Sequence, residues 1–513
     1  MPILNRNLLS EGNPEGNVRA EVPAPGGRSA MPQVGILQIG DGNFLRGFAD
    51  WMIELANEAG VFNGSVSIAA ARGPGAIPAL RAQDGLFTVL TRGVQGGQLV
   101  DKARVIACVR ELIDPSTEWQ ALLTCAAVPN LRFLISNTTE AGIVYVDEPN
   151  SAASCPRSFP AKLTALLWER FVKLGGSPSA GLIVLPCELV EDNGSKLRQI
   201  VLQHAGAWGL PPIFQSWIEQ HNHFLNTLVD RIVPGFPANE ADAVFADLGY
   251  EDSMLVVAEP FHVWVIEGPQ RLAEEFPLHK AGLNVIWTDD LKPYRSSKVR
   301  VLNGAHTAMA LSAFGAGLDS VKSVIDDEVL SQYLHKLMFE EIVPFVPRPE
   351  EERKQYAAAI MERFANPYVR HELLSIALNS VSKWQVRVLP TIKDYAREHG
   401  KAPKLLSFSL AALLDFYHGS WNAAGEYAGS RDGTPDGTPY PIKDNADVIE
   451  IIAEAWHGGD DGRDLPERVH SMLADTRLWG EDLTAIPALS TQVTAALKRI
   501  KEVGTRAAIA ELL

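Results

Sequence analysis

VGILQIG (34–40), followed at once by DGNFLRGFADWMIELANEAG (41–60), is the stretch whose reading decides the fold. The first part is a short apolar run suited to a buried strand, and in the second Phe44, Phe48, Trp51, Met52 and Leu55 recur at helical spacing. The junction Gly40-Asp41-Gly42-Asn43-Phe44 permits a tight turn. It also lets a pyrophosphate approach a helix N-terminus, where free N–H groups and the helix dipole favour an anion. The third glycine of the usual dinucleotide fingerprint is absent, since Leu45 stands there. The acidic residue that ordinarily holds the adenosine ribose is missing too, because the second strand runs out into Ala71-Arg72-Gly73. Arg72 at that position suits a 2′-phosphate, which leaves NADP open beside NAD.

Outward from this stretch, VSIAAAR (66–72), LFTVLTRG (86–93), ARVIACV (103–109), RFLISNT (132–138) and GLIVLPC (181–187) read as further strands. Helical patterns follow at 160–174 and 195–208. Strands alternating with helices predict an α/β Rossmann-type domain with a mostly parallel sheet over residues 34–292. The run at 86–93 and the one ending at 109 suggest a hairpin inserted at the sheet edge. From residue 293 onward helical periodicity dominates, so 293–513 is expected to be an all-α domain, with a Gly-, Pro- and Asp-rich loop at 425–445. Residues 1–33 read as an irregular lead-in.

The 513 residues are 46% hydrophobic and 21% charged, a balance that excludes a disordered, collagenous or coiled-coil chain. A net charge of −16 disfavours non-specific binding to nucleic acid or to an anionic membrane. Cys108, Cys125, Cys155 and Cys187 are widely spaced and fit neither a disulfide framework nor a zinc ribbon. His221 and His223 have no further ligands at metal spacing, so no metal is expected. The N-terminus has no basic-then-apolar leader, and the most apolar stretch, 301–318, is broken by Asn303 and His306. A cytoplasmic protein, monomeric or a small homo-oligomer, is the expectation.

The sharpest constellation is Lys298-Val-Arg-Val-Leu-Asn303-Gly-Ala-His306. At roughly 100° per residue of α-helix, Asn303 lies about 140° and His306 about 80° around from Lys298, so one broad face holds all three. Lysine acts as a general base when burial or neighbouring charge lowers its pKa. Asn303 offers a donor to a developing alkoxide, and His306 a hydrogen bond to the reacting oxygen. Each residue alone also has a plain structural reading: a snorkelling lysine, a core asparagine, a satisfied core histidine.

IGDGNFLRGF, SNTTEAG (136–142), the TLVDRIVP stretch around Asp230, EPFHVWVIEG (259–268) and KVRVLNGAHTA together resemble the polyol-specific long-chain dehydrogenases, the mannitol dehydrogenase and hexuronate reductase family. The resemblance runs in order over most of the chain. FPAKLTALLWERF, PCELVEDNG and NPYVRHELLSIALNSVSKW point within it to the hexuronate branch. It implies a two-domain NAD-dependent oxidoreductase with its site in the interdomain cleft, reducing D-tagaturonate to D-altronate. Lys298 would be general acid/base, Asn303 an oxyanion donor, and His306 bonded to the same oxygen. Asp230 and Lys383 would meet the substrate, a small sugar acid. Gly40, Gly42, Asn43 and Phe44 would hold the pyrophosphate end of the cofactor, with Thr139 and Glu140 near its nicotinamide.

Two departures from the mannitol pattern stand out. Cys187-Glu188-Leu189 replaces C-D-N, whose Asn is the second oxyanion donor, and Asn193 is the expected substitute. Ser375 stands where an Arg precedes the substrate lysine by eight residues, leaving Arg370, His371 and Arg387 as cations for a substrate carboxylate. Fructuronate reduction, oxidation of an uncharged polyol, and a catalytically idle nucleotide sensor are the alternatives.

Overall fold

β1 (Val34–Ile39) has apolar side chains on both faces and is buried along most of its length, as a central parallel strand must be. It forms the middle of a six-stranded parallel sheet with β2 (Gly64–Ala69), β5 (Val109–Ile113), β6 (Leu131–Ser136), β7 (Ile183–Pro186) and β8 (His223–Phe224), in the order β5-β2-β1-β6-β7-β8. β1 pairs with β2 from Val34↔Gly64 to Ile39↔Ala69, and with β6 up to Ile39↔Ser136. The strand order runs out one way from β1 and then returns to its other side at β6. That reversal opens a crevice at the carboxyl ends of β1 and β6, where ligands of open α/β sheets bind.

This computed structural model describes residues 1–10, 20–21, 33–150, 154–431, 437–457 and 464–513. The chain divides into two compact units, Met1–Leu291 and Lys292–Leu513.

In the first unit the fold is Rossmann-like, and three details differ from the sequence reading. The hairpin of β3 (Phe87–Gln95) and β4 (Gln98–Ile106) does not extend the main sheet. It pairs with β10 (Val256–Ala258) in a separate three-stranded sheet. The run at 103–109 is therefore split, and only its last residue belongs to the main sheet, as the start of β5. A third sheet joins β9 (Asn226–Asp230), β11 (Val263–Glu267) and β12 (Val285–Thr288). The expected irregular lead-in contains a helix, Arg6–Ser10, and is docked: Leu4 is fully buried and its N–H donates to Glu251 O at 2.9 Å. Most of residues 11–32 lie outside the described part.

Aromatic packing seals one face of the main sheet. Phe133 on β6 lies 4.9 Å from Phe276 and 6.2 Å from Phe62, all three fully or nearly fully buried; each contributes about 1.5–3 kcal/mol through removal from water. On the helix Phe159–Lys173 the buried Arg170 has no carboxylate partner among the described residues. Its guanidinium donates to the carbonyls of Ala180 (2.6 Å) and of Ala126, Val128 and Leu131 (2.8 Å each). It thereby collects the loop carbonyls ahead of β6 and β7.

The second unit is mostly helical. Helices Ala305–Gly315 and Lys404–Phe416 are buried almost all round, as their unbroken apolar sequences require. Glu341 accepts from the N–H groups of Leu405 (2.9 Å) and Leu406 (2.8 Å), capping the second of these helices from a neighbouring segment. The loop at 425–445 is not wholly irregular. Ser420–Trp421, Tyr427–Ser430 and Pro439–Pro441 form a small antiparallel sheet around it, while 432–436 lie outside the description. Among the described residues no helix is long and apolar enough to cross a membrane.

Candidate active site

At the end of β1 the backbone turns sharply. Gly40 has φ +123°, and a Cβ there would stand 2.7 Å from Asn137 O, so only glycine fits. Gly42 differs: its φ is −70°, and nothing lies within 4 Å of where its Cβ would be. The turn thus has a tight inner glycine and an open outer one. Arg46 holds the turn in shape, donating to Asn43 Oδ1 (2.7 Å), Asp41 O (3.3 Å) and Met254 O. Burial lowers the Arg46 pKa to about 10, with Asp252, Asp50 and Asp41 opposing that shift. Asp41 in turn accepts from Ala76 N. Phe44 stacks on Phe48, centroids 4.9 Å apart. Asn43 begins a helical stretch that passes through a π-helical segment, Arg46–Asp50, into the α-helix Trp51–Glu58.

The loop after β6 is fastened by Glu188, which the sequence reading treated only as part of a departure. Its buried carboxylate accepts from Thr138 N (2.9 Å), Thr138 Oγ1 (3.0 Å) and Ser136 Oγ (3.1 Å). Burial raises its pKa, and these donors oppose the rise. The grip on Thr138 supports Thr139 at φ +95°, a backbone state costly for a β-branched residue. The signal for Glu188 was present: an acid directly after a buried strand, facing the hydroxyls of SNTT. The side chain of Glu140 lies outside the description.

Asn193 corrects an expectation. It is 1% exposed, and its Nδ2 donates to the carbonyls of Pro186 (2.9 Å), Glu188 (3.1 Å) and Thr227 (3.2 Å). Its Oδ1 accepts from Gly194 N and Thr227 N, both at 2.9 Å. No donor remains for a substrate, and Leu189, 60% exposed, has none to give. Asn193 pins the helix Asn193–Ala207 to β7 and β9.

Beside the crevice, a cleft of about 560 Å³ opens at the carboxyl ends of β2, β5 and β6, and Arg72, Ser116, Thr138, Gly142, Arg157 and Lys162 are among its lining residues. Asp230 ends β9 and is buried. Its neighbour Arg231 donates to Gly47 O (2.7 Å) and Glu259 O (2.8 Å) and stacks 4.0 Å over the Trp51 ring. Burial takes the Arg231 pKa down to about 9, against the charge of Glu259. The V-D-R and E-P-F-H motifs are thus tied into one brace.

In the second unit, Lys298–Gly304 is not α-helical. It is a π-helical segment between the α-helices Lys292–Ser297 and Ala305–Gly315. Its i→i+5 bonding takes up one residue more than an α turn. Positions eight apart then stand as if seven apart, about two turns, which brings Lys298 and His306 closer to alignment than the α-helical ~80°. Gly304 lets the chain at Arg387 come near, since a Cβ would lie 3.1 Å from Arg387 O.

The two polar groups at the far end of this motif are uncommitted. The side chain of Asn303 makes no hydrogen bond among the described residues; only its carbonyl is used, accepting from Thr307 Oγ1 at 2.8 Å. His306 is stacked on Phe364 (4.3 Å) and edge-on to His371 (4.9 Å), and its Nε2 is buried without a partner among the described residues. Burial, then the charges of His371, Arg363 and Arg387, hold its pKa well below the usual histidine value, so the ring is neutral.

Of the expected cations, the structure gathers some and disperses another. Arg387 donates to Thr307 Oγ1 at 3.3 Å, one turn beyond Asn303, and His371 touches His306. Lys383 donates to Ile376 O at 3.0 Å; burial and the charge of Arg387 lower its pKa, against Asp444. Arg370 is corrected: its side chain is 81% exposed and paired with Glu372.

The Rossmann-domain model of mannitol dehydrogenase matches residues 34–280, and the mannitol dehydrogenase C-terminal-domain model matches 290–501. Altronate oxidoreductase of Yersinia enterocolitica is 44% identical over 477 residues, covering 93% of this chain and 96% of its own. Among solved structures, D-sorbitol dehydrogenase in substrate-free form is 23% identical with a TM-score of 0.77, covering 99% of this chain and 100% of that one. Mannitol 2-dehydrogenase of Pseudomonas fluorescens, in ternary complex with NAD and D-mannitol, is 23% identical with a TM-score of 0.66 over 99% of each chain. With both of its domains matched and a relative this similar along nearly the whole length, the chain belongs to the mannitol dehydrogenase family and is an oxidoreductase acting on CH–OH groups.

Proposed function

We propose that the protein interconverts D-tagaturonate and D-altronate with NAD(H). The observation that carries this reading is the Lys298–His306 motif. Asn303 and a neutral, buried His306 stand uncommitted there, with His371, Lys383 and Arg387 close enough to depress their own or one another's proton affinity. Such a cluster suits an oxygen that gains negative charge on a substrate that already carries a carboxylate. Kinship to an altronate oxidoreductase and to a mannitol dehydrogenase solved with NAD supports the same choice.

The first unit fits a dinucleotide. Gly42 leaves open space at a helix N-terminus, and the crevice at β1 and β6 is where such ligands bind. When bound, the nicotinamide supplies the hydride acceptor for oxidation and the donor for reduction. In oxidation Lys298 takes the carbinol proton, and in reduction it returns a proton to the carbonyl oxygen. Asn303 donates an amide N–H to that oxygen as charge builds on it. With its ring proton on Nε2, the neutral His306 would donate a second hydrogen bond to the same oxygen. Asp230 and Lys383 orient the substrate hydroxyls and carboxylate. Arg387 is held by Thr307 and adds its charge to the carboxylate end.

Mixing the protein with NADH and a panel of keto-hexuronates and ketohexoses, and following loss of NADH absorbance, tests this. Tagaturonate should exceed tagatose in kcat/KM by about one to two decades, the contribution of a charge-assisted contact. Equal efficiency on both would make the protein a polyol dehydrogenase, and preference for fructuronate would move it to the sibling activity. Tight NADH binding with no turnover on any of them would leave a nucleotide sensor.

A further inference from the structure

The cleft at the carboxyl ends of β2, β5 and β6 is cationic, although the chain as a whole carries −16. Three of its described lining residues are charged, Arg72, Arg157 and Lys162, and none is Asp or Glu. Lys162 is 5% exposed, and Nζ donates to Ala71 O at 2.7 Å, which leaves two of its three N–H donors for a ligand. Lys162 and Arg72 line the same cleft; burial lowers the Lys162 pKa and the positive charge of Arg72 adds to this, while Cys155 and Glu148 oppose it. Arg72 and Arg157 are exposed and have no acidic partner among the described residues.

The acids nearest the cleft are already committed to the loops around it. Asp114 accepts from Ser116 N (2.9 Å) and Thr117 Oγ1 (3.2 Å), and Glu148 accepts from Arg157 N (2.7 Å) and Ser158 N (2.9 Å). At the tip of β2 itself the residues are Ala70-Ala71-Arg72-Gly73. In a dinucleotide fold that tip meets the adenosine ribose. An acid there bonds the 2′-hydroxyl and repels a phosphate, whereas an arginine accommodates one.

We propose that Arg72 and Lys162, with Arg157 at the rim, form a site for a phosphate monoester on the adenosine 2′-oxygen, so that the protein takes NADP(H) as well as NAD(H). This rests on the reading of the first unit as a nicotinamide-dinucleotide domain. It adds to that reading the form of the nucleotide accepted.

Binding to the intact protein, without sugar substrate, tests it. NADH and NADPH are titrated by nicotinamide fluorescence, and 5′-AMP, 5′-ADP and 2′,5′-ADP by calorimetry. NADPH should bind no more than about threefold more weakly than NADH, and 2′,5′-ADP at least about tenfold more tightly than 5′-AMP, as expected of charge-assisted bonds. Arg72→Ala should raise the NADPH/NADH ratio of Kd values at least about tenfold, and Lys162→Met should raise it in the same direction. A larger penalty for NADPH overturns the proposal and leaves the dinucleotide domain intact. A gain for 5′-ADP equal to that for 2′,5′-ADP overturns it too, by assigning the cations to the pyrophosphate. If neither dinucleotide binds, it is the underlying reading of the first unit that fails.

Discussion

The turn at Gly40–Arg46 leads into a π-helical segment and the helix at Lys298–His306 contains one, yet the two regions use their side chains in opposite ways. In the turn, Asp41, Asn43 and Arg46 bond one another or the backbone, and what is left open is space beside Gly42. In the helix, the Asn303 side chain and Nε2 of His306 have no partners among the described residues, and what is fixed is the backbone around them. A rigid dinucleotide is recognised by backbone geometry, so the polar side chains nearby can be used as braces. Proton transfer and oxyanion stabilisation need side-chain atoms kept in reserve.

The contrast breaks most visibly at Lys298. Lys298→Ala should lower kcat for altronate oxidation by about 10²–10⁴-fold, the range for a general base. NADH binding should stay within about twofold, because the bracing side chains of the turn are untouched. Near-wild-type rates would make Lys298 structural and move the base elsewhere, with His306 next in line.

Next in size is a pair of glycine variants. Gly42→Ala should weaken NADH binding about tenfold or more with Tm unchanged, since the fold has room for the methyl group and the ligand does not. Gly40→Ala should lower Tm as well, because its φ of +123° and the nearby Asn137 carbonyl both reject a Cβ. If Gly42→Ala binds NADH normally, the open space beside it is not where the pyrophosphate lies.

Asn193→Ala sharpens the distinction between brace and reserve. It leaves buried backbone groups unpaired at about 1–3 kcal/mol each, so Tm should fall by several degrees. The kcat of the folded enzyme should remain within about threefold. A collapse of kcat at constant Tm would instead restore Asn193 as the second oxyanion donor.

The smallest effect concerns pH. The folded-state pKa of His306 lies below its ordinary value of 6.5, so below that pH the unfolded chain takes up a proton that the folded one refuses. The stability His306 contributes is therefore present above pH 6.5 and declines as the pH falls. His306→Gln should reduce the loss of Tm between about pH 7 and pH 5, and it should leave the ascending limb of kcat above neutrality in place. Disappearance of that limb in the variant would assign it to His306 rather than Lys298.

Much of this contrast could be read in the residues. VGILQIGDGN marks strand, turn and helix through apolar run and glycine, and K-x4-N-x-x-H stands out by its residue types. What stayed hidden depends on partners far along the chain. Asn193 reads as a free amide until Pro186, Glu188 and Thr227 close on it, and Glu188 reads only as the acid of an altered C-D-N until Thr138 and Ser136 reach it. Arg370 and Arg387 are both arginines near Lys383. One is neutralised by Glu372 at the surface and the other is turned toward Thr307, and nothing local separates them. The π-helical segments are not marked by residue type: RGFAD and KVRVLNG read as ordinary helix.

That last feature has a genetic meaning. A π turn is an α turn with one codon added, and removing a single codon between Lys298 and Gly304 would return the segment to an unbroken α-helix. Such a deletion would keep the helix itself, and because the π turn already takes up that residue, the side chains downstream would stay at nearly the same angle to Lys298. The π turn thus absorbs one extra codon without turning His306 away from Lys298, whereas an unbroken α-helix of the same length would turn it by about 100°. Along a lineage, single-residue gaps are therefore expected inside this segment rather than in the α-helices on either side of it.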